Sequence, residues 1–225
     1  MPITTRLTIA RHGQARCNVD GRVGGPRTCT GLTDHGRHQV ELLAGRLAAQ
    51  QHTGPAFDVL YAGSRLRLQE SGRILANALG LTLVTELGLD GPRHGQADGQ
   101  LWRDIESAFG GAPHTHPDQP YAPGSDTWNR YLTRATNHLA ALIERHQGQS
   151  ILLAAHSETT HAACHLLLNI APQGHVPRGL RHRPCWPDTP RAPRRPLRTR
   201  HLGPRRPQRH RTPHQSRLTT SVRRV

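Results

Sequence analysis

Three short apolar runs punctuate the chain: Leu7–Ala10, Phe57–Ala62 and Ile151–Ala155. They are built mainly of aliphatic, β-branched and aromatic residues and give way to Gly, Ser or His, so each predicts a buried strand. Leu81–Val84 predicts a weaker fourth. Between the runs the apolar spacing becomes helical. Val40, Leu43 and Leu47 share one face, as do Ile74, Leu75, Ala78 and Leu79, and again Leu132, Ala135, Leu139, Leu142 and Ile143. Strands alternating with helices predict βαβ units: an α/β fold with three α/β/α layers and a mostly parallel sheet.

Two stretches break this pattern. Residues 88–127 are rich in Gly, Pro, His and Asp, with one short helix expected near Trp102–Phe109. So long an irregular segment in a compact domain reads as a cap, here over the C-terminal edge of the strands. From Pro172 the pattern collapses: 172–225 holds ten prolines and a single aromatic, Trp186. It has too little apolar surface to offset its ordering entropy and is expected to be disordered. The organisation is therefore a domain over 1–171 and a tail over 172–225.

Charge sharpens this division. The formal net charge is +15, all 30 basic residues are arginine, and there is no lysine. Up to residue 171, 15 arginines face 14 acids; beyond it, 15 face Asp188 alone. The basic character belongs to the tail, which lacks interleaved aromatics for base stacking, so specific nucleic-acid binding is not expected. Cysteines 17, 29, 164 and 185 form no C-x-x-C pair. With no secretory signal and no apolar run of membrane-spanning length, a cytoplasmic protein with reduced thiols is expected.

The candidate chemistry sits where the strands end, which is where open α/β sheets bind ligands. The first strand runs into Arg11-His12-Gly13-Gln14. An imidazole can carry a phosphoryl group, a guanidinium can grip two of its oxygens, and Gly13 lets the backbone approach. The tripeptide recurs as Arg93-His94-Gly95, but after Gly91-Pro92 and no strand. The last strand ends in His156-Ser157-Glu158, placing a second histidine on the same edge. Arg67, with Arg65 as its competitor, lies just beyond the second strand. His114 with His116 and His161 with His165 have metal-pair spacing, but in a chain with 17 histidines they read as surface residues. No metal or cofactor is expected.

Arg11-His12-Gly13-Gln14 with Asn18, the run Gly31-Leu32-Thr33-Asp34-His35-Gly36, the segment Leu60–Leu75 and the segment Leu152–Leu168 together resemble the histidine phosphatase superfamily, whose fold is phosphoglycerate-mutase-like. The resemblance covers about residues 5–171, and the short cap favours the phosphatase branch. It implies a phosphomonoesterase of small phosphorylated metabolites working through a phosphohistidine on His12. Arg11, Arg67 and His156 would hold the phosphoryl, with Gly13, Asn18, Thr30, Gly31 and Ser157 lining the substrate site. Phosphoglycerate mutase-type transfer, or an inactive member with a polyanion-binding tail, are the alternatives. A homodimer is compatible with the resemblance.

The chain departs from the family in three places that matter. Ser71-Gly72 replaces the usual Thr-Ala, and Gly63-Ser64-Arg65 departs from Ser-Pro-Leu. The family's acid stands four residues before the glycine of a string matched here by Gly95-Gln96-Ala97-Asp98-Gly99, and that position is Gly91. Asp90 and Glu86 are the nearest carboxylates and the candidate acids; Asp98 matches a glutamate that is usually not the acid. The family's C-terminal strands also have no counterpart after Pro172 and are expected to be missing. A shifted reading frame would account for this. The coding DNA, translated in another frame near codon 172, is then expected to yield strand-like apolar runs; if neither alternative frame does, the explanation fails.

Overall fold

A computed structural model describes residues 5–170. The tail, its expected disorder and the missing C-terminal strands lie outside the described residues.

Four strands form one parallel sheet: β1 (Arg6–Arg11), β2 (Val59–Ala62), β3 (Leu83–Thr85) and β4 (Ser150–Ala155), in the order β1-β4-β2-β3. The second run is shorter as a strand than its apolar pattern suggests: Phe57 packs at the rim of the core and lies under the Arg6 guanidinium, 5.7 Å away. The weak fourth run forms the short edge strand β3, shifted towards Thr85. β4 is buried along its whole length, as its unbroken apolar run requires of a strand covered on both faces.

Six α-helices accompany the sheet: α1 (Arg16–Val19), α2 (Asp34–Thr53), α3 (Leu66–Leu79), α4 (Trp102–Phe109), α5 (Trp128–Arg145) and α6 (Ser157–Leu167). The strand side chains alternate between two cores. Leu60, Ala62, Leu152 and Ala154 pack with Val40, Ala44 and Leu47 of α2 and Leu68 and Leu75 of α3. Tyr61, Ile151, Leu153 and Ala155 pack with Leu132, Ala135 and Leu139 of α5 and Ala162 of α6. This gives the three layers. Thr33 starts α2 by accepting the Gly36 N–H at 2.9 Å, and Thr127 starts α5 by accepting the Arg130 N–H at 3.1 Å.

The irregular segment 88–127 has a small core of its own, formed by Ala97, Ile105 and Tyr121 with Val23. Its helix α4 spans the predicted residues. Among the described residues no helix is long and apolar enough to cross a membrane.

Candidate active site

The strand order assembles the site. β4 lies between β1 and β2, and Arg11 pairs with Ala155 at the C-terminal ends. The next residues, His12 and His156, therefore leave the sheet side by side; the His12 N–H donates to Ala155 O at 3.1 Å. Their rings meet edge to face with centroids 5.4 Å apart. Arg67 enters from the first turn of α3, just after β2.

Hydrogen bonds fix the protonation pattern. His12 Nδ1–H donates to the Gly13 carbonyl at 2.7 Å, which leaves a lone pair on Nε2. Arg67 Nε–H donates to that Nε2 at 3.3 Å, and its NH2 group donates to His156 Nδ1 at 3.4 Å. One planar guanidinium thus bridges both imidazoles. His156 carries its proton on Nε2, which is buried and has no hydrogen-bond partner among the described residues. His12 is 8% exposed, Arg67 6% and His156 3%.

Burial, reinforced by the positive charge of Arg67, lowers the pKa of His12 to about 3. The same two causes hold His156 well below the usual range. Burial and Arg65 lower His94 to about 4. All three are neutral near pH 7, so His12 is an uncharged imidazole with its lone pair on Nε2.

These shifts carry a stability cost. Unfolded histidines take up protons near pH 6.5, whereas the folded ones resist until the lowered values are reached. Stability is therefore full above about pH 6.5 and falls as pH drops from there towards 4 for His94 and 3 for His12. At pH 5 each group is expected to cost about 2 kcal/mol. Chemical unfolding at pH 7.5 and 5.0 measures this; equal midpoints would contradict it, and His94→Phe should flatten the profile.

The other predicted residues are scattered. Arg11 is half-buried and close enough to act electrostatically on both His12 and Glu158. Gly13 has a packing reason to be glycine, since a Cβ there would run into the Gly36 carbonyl at the start of α2. Asn18 is exposed and its Oδ1 accepts the Ala15 N–H at 3.2 Å, capping α1. Thr30 is exposed. Gly31 is buried with φ 88°, its carbonyl accepting the Arg16 N–H at 3.1 Å. Ser157 opens α6 and donates to Glu158 Oε2 at 2.9 Å.

The two candidate acids are engaged away from His12. Asp90 accepts the Ser64 N–H at 2.7 Å and the Ser64 hydroxyl at 2.6 Å. Glu86 turns towards α5, with His138 and Arg145 each at 3.5 Å. Asp98 staples the loop before it, accepting the N–H groups of Gly25 and Arg27 at 2.9 and 3.0 Å. Gly91, by contrast, faces the site: a Cβ on it would stand 3.0 Å from His156 Cδ2 and 3.4 Å from Nε2. A side chain at this position would reach the histidine pair, and here there is none.

Sequence reasoning gave no role to Glu158 or Cys29, and it weighed Arg65 only as a competitor of Arg67. Glu158, in the first turn of α6, acts electrostatically on His12 and His94. Burial pushes its carboxyl pKa up, but its own backbone N–H, Ser157 and Arg11 outweigh this and hold it below the usual range. Its signal was available, as an acid two residues after a strand-end histidine. Cys29 Sγ lies 3.2 Å from Arg67. Arg65 donates to the carbonyls of Gly24 at 2.7 Å and Pro92 at 2.8 Å, tying the 24–29 loop to the cap. The second Arg-His-Gly copy belongs to the cap core: His94 bonds to the Tyr121 hydroxyl at 2.6 Å and meets Trp102 edge-on. His114 and His161 lie against the Trp128 ring, and His116 against Phe109.

Two histidines on adjacent parallel strand ends are joined by one arginine, and the chain belongs to the histidine phosphatase superfamily (branch 1), whose family model matches residues 7–183. It is 27% identical over 184 residues to a 2,3-bisphosphoglycerate-dependent phosphoglycerate mutase of Azorhizobium caulinodans, covering 77% of this chain and 86% of the relative. Its fold is similar to that of a mycobacterial glucosyl-3-phosphoglycerate phosphatase (TM-score 0.62, 21% identity, 74% of this chain and 81% of that one). It is also similar to a phosphoserine phosphatase of Entamoeba histolytica (TM-score 0.59, 19% identity, 76% and 83%).

Proposed function

We propose that the chain is a phosphomonoesterase of small phosphorylated metabolites, acting through a phosphohistidine on His12. One observation carries this reading: the Arg67 guanidinium spans His12 Nε2 and His156 Nδ1, leaving the His156 Nε2–H buried and without a partner among the described residues. A phosphoryl group entering there meets a nucleophilic lone pair, a fork of donors and an unused N–H. Positive charge and donors are concentrated where the transition state spreads negative charge.

In the first step His12 Nε2 bonds to phosphorus as the ester P–O bond breaks, and the leaving alkoxide takes a proton. In the second, water attacks phosphorus, the P–N bond breaks, and the water proton returns to the base. We assign that proton to Glu158. It lines the cleft beside His156, whereas Asp90 and Glu86 are held elsewhere and Gly91 offers no side chain. A bound phosphoryl dianion offsets the field of Arg11 and raises the carboxyl pKa towards the working range.

Leaving-group dependence tests the assignment. Glu158→Gln is expected to slow alkyl phosphate hydrolysis about 100-fold and nitrophenyl phosphate only a few-fold, because nitrophenolate hardly needs a proton. Equal slowing of both substrates removes Glu158 from the role. The overall reading is tested by phosphate release from nitrophenyl phosphate with purified protein. The relative's name supports a second reading, phosphoglycerate mutase-type transfer. Product analysis separates the two, since a mutase returns an isomer and a phosphatase returns free phosphate.

A further inference from the structure

A cleft of about 440 Å³ is lined by Ser157 and Glu158, the two residues that follow His156. One wall comes from the cap, where Trp102 and Tyr121 stand with ring centroids 6.0 Å apart. The other is Trp128 at the start of α5, flanked by His161 at 5.7 Å. Aromatic faces of this kind hold the C–H face of a polyol or an alkylammonium group.

The charges in the cleft are one-sided. Among the described residues no arginine lines it, and the chain has no lysine. His94 is neutral, as described above. Besides Glu158, two carboxylates line it, Asp126 and Glu106. That of Asp126 is buried and already balanced, accepting the Arg93 N–H at 2.9 Å and Arg134 at 3.2 Å. That of Glu106, on the exposed face of α4, has no ion-pair partner among the described residues. Arg65 acts on His94 and Tyr121, but its guanidinium does not line the cleft and is held by the Gly24 and Pro92 carbonyls, while Arg11 and Arg67 act on His12. A second anionic group on the substrate would lose water, meet no arginine lining the cleft among the described residues, and face Glu106. Hydroxyl or ammonium donors would instead find Glu106 as an acceptor.

We infer that the leaving alcohol carries no anionic group and presents hydrogen-bond donors, as a neutral polyol or an amino alcohol does. The inference rests on the phosphomonoesterase reading and narrows it. It sets this chain apart from enzymes of phosphoglycerates and phosphoserine, whose substrates all bear a carboxylate.

Two matched pairs test it. Glycerol 3-phosphate and 3-phosphoglycerate differ by a hydroxymethyl against a carboxylate, and phosphoethanolamine and phosphoserine differ by the carboxylate alone. The full chain is expected to favour the carboxylate-free member of each pair at least about ten-fold in kcat/KM. The stronger of the two favoured compounds shows whether the cleft takes hydroxyl or ammonium donors. Glu106→Arg is expected to erase or invert the preference. The same four compounds are titrated calorimetrically against His12→Ala, where binding is read without turnover. The ranking in binding but no turnover by wild type would overturn the phosphatase reading and leave the specificity standing. Turnover with phosphoglycerate or phosphoserine equal or preferred would overturn the specificity alone. No binding of any of the four would overturn both.

Discussion

His12→Ala is expected to lower phosphomonoester turnover by at least about 10⁴-fold, the scale on which loss of a nucleophile acts. The substitution removes the imidazole whose Nε2 is proposed to bond to phosphorus. Arg67 and His156 remain, but a guanidinium has no lone pair for phosphorus, and His156 carries its lone pair on Nδ1, where it accepts from Arg67. Acid-labile phosphate should be trapped on the wild-type protein during turnover and be absent from the variant. His94→Ala is the control, because His94 belongs to the cap core; its chemistry should stay within a few-fold of wild type. Turnover by His12→Ala within ten-fold of wild type would exclude His12 as the nucleophile.

Arg67→Lys is expected to cost on the order of 100-fold in rate with little change in fold. The guanidinium makes four contacts at once, to His12, His156, Gly24 O and Cys29 Sγ. A single ammonium cannot span both imidazoles and grip two phosphoryl oxygens. Arg65→Lys should behave differently. Its partners are two backbone carbonyls, so its loss should lower the unfolding midpoint more than the chemical rate. Steady-state kinetics and thermal melts on both variants separate the two effects. A larger rate loss for Arg65→Lys would exchange the roles.

Much of this arrangement was legible in the sequence because it is local and repetitive. β4 is an unbroken apolar run, and a strand buried on both faces has little choice but to read that way. The periodicities around Val40, Ile74 and Leu132 mark helices that bury one face each. His12 and His156 follow such strands directly, so the strand prediction carries the histidines with it. What escaped depends on distant partners. Nothing near Asp90 reveals that Ser64 occupies its carboxylate, and nothing near Glu86 reveals His138 and Arg145. Gly13 looks like room for substrate until Gly36 is found against it. Arg65 and Arg67 both look outward in sequence, yet both are buried, and only the loop carbonyl of Gly24 explains how two guanidinium groups are accommodated together.

The place of β4 also dictates when the protein can fold. β1 and β2 do not touch each other; each pairs with β4. Arg6 meets Ser150 across 144 positions of chain. During synthesis the first strand is made early but waits, unpaired, for the last described strand to emerge. Only β2 and β3 can join sooner. Closing so long a loop adds modest entropy, but contacts this distant in sequence slow the search for the native pairing. The growing chain therefore carries an exposed apolar strand for most of its time on the ribosome, the period in which it is most open to mispairing with its neighbours.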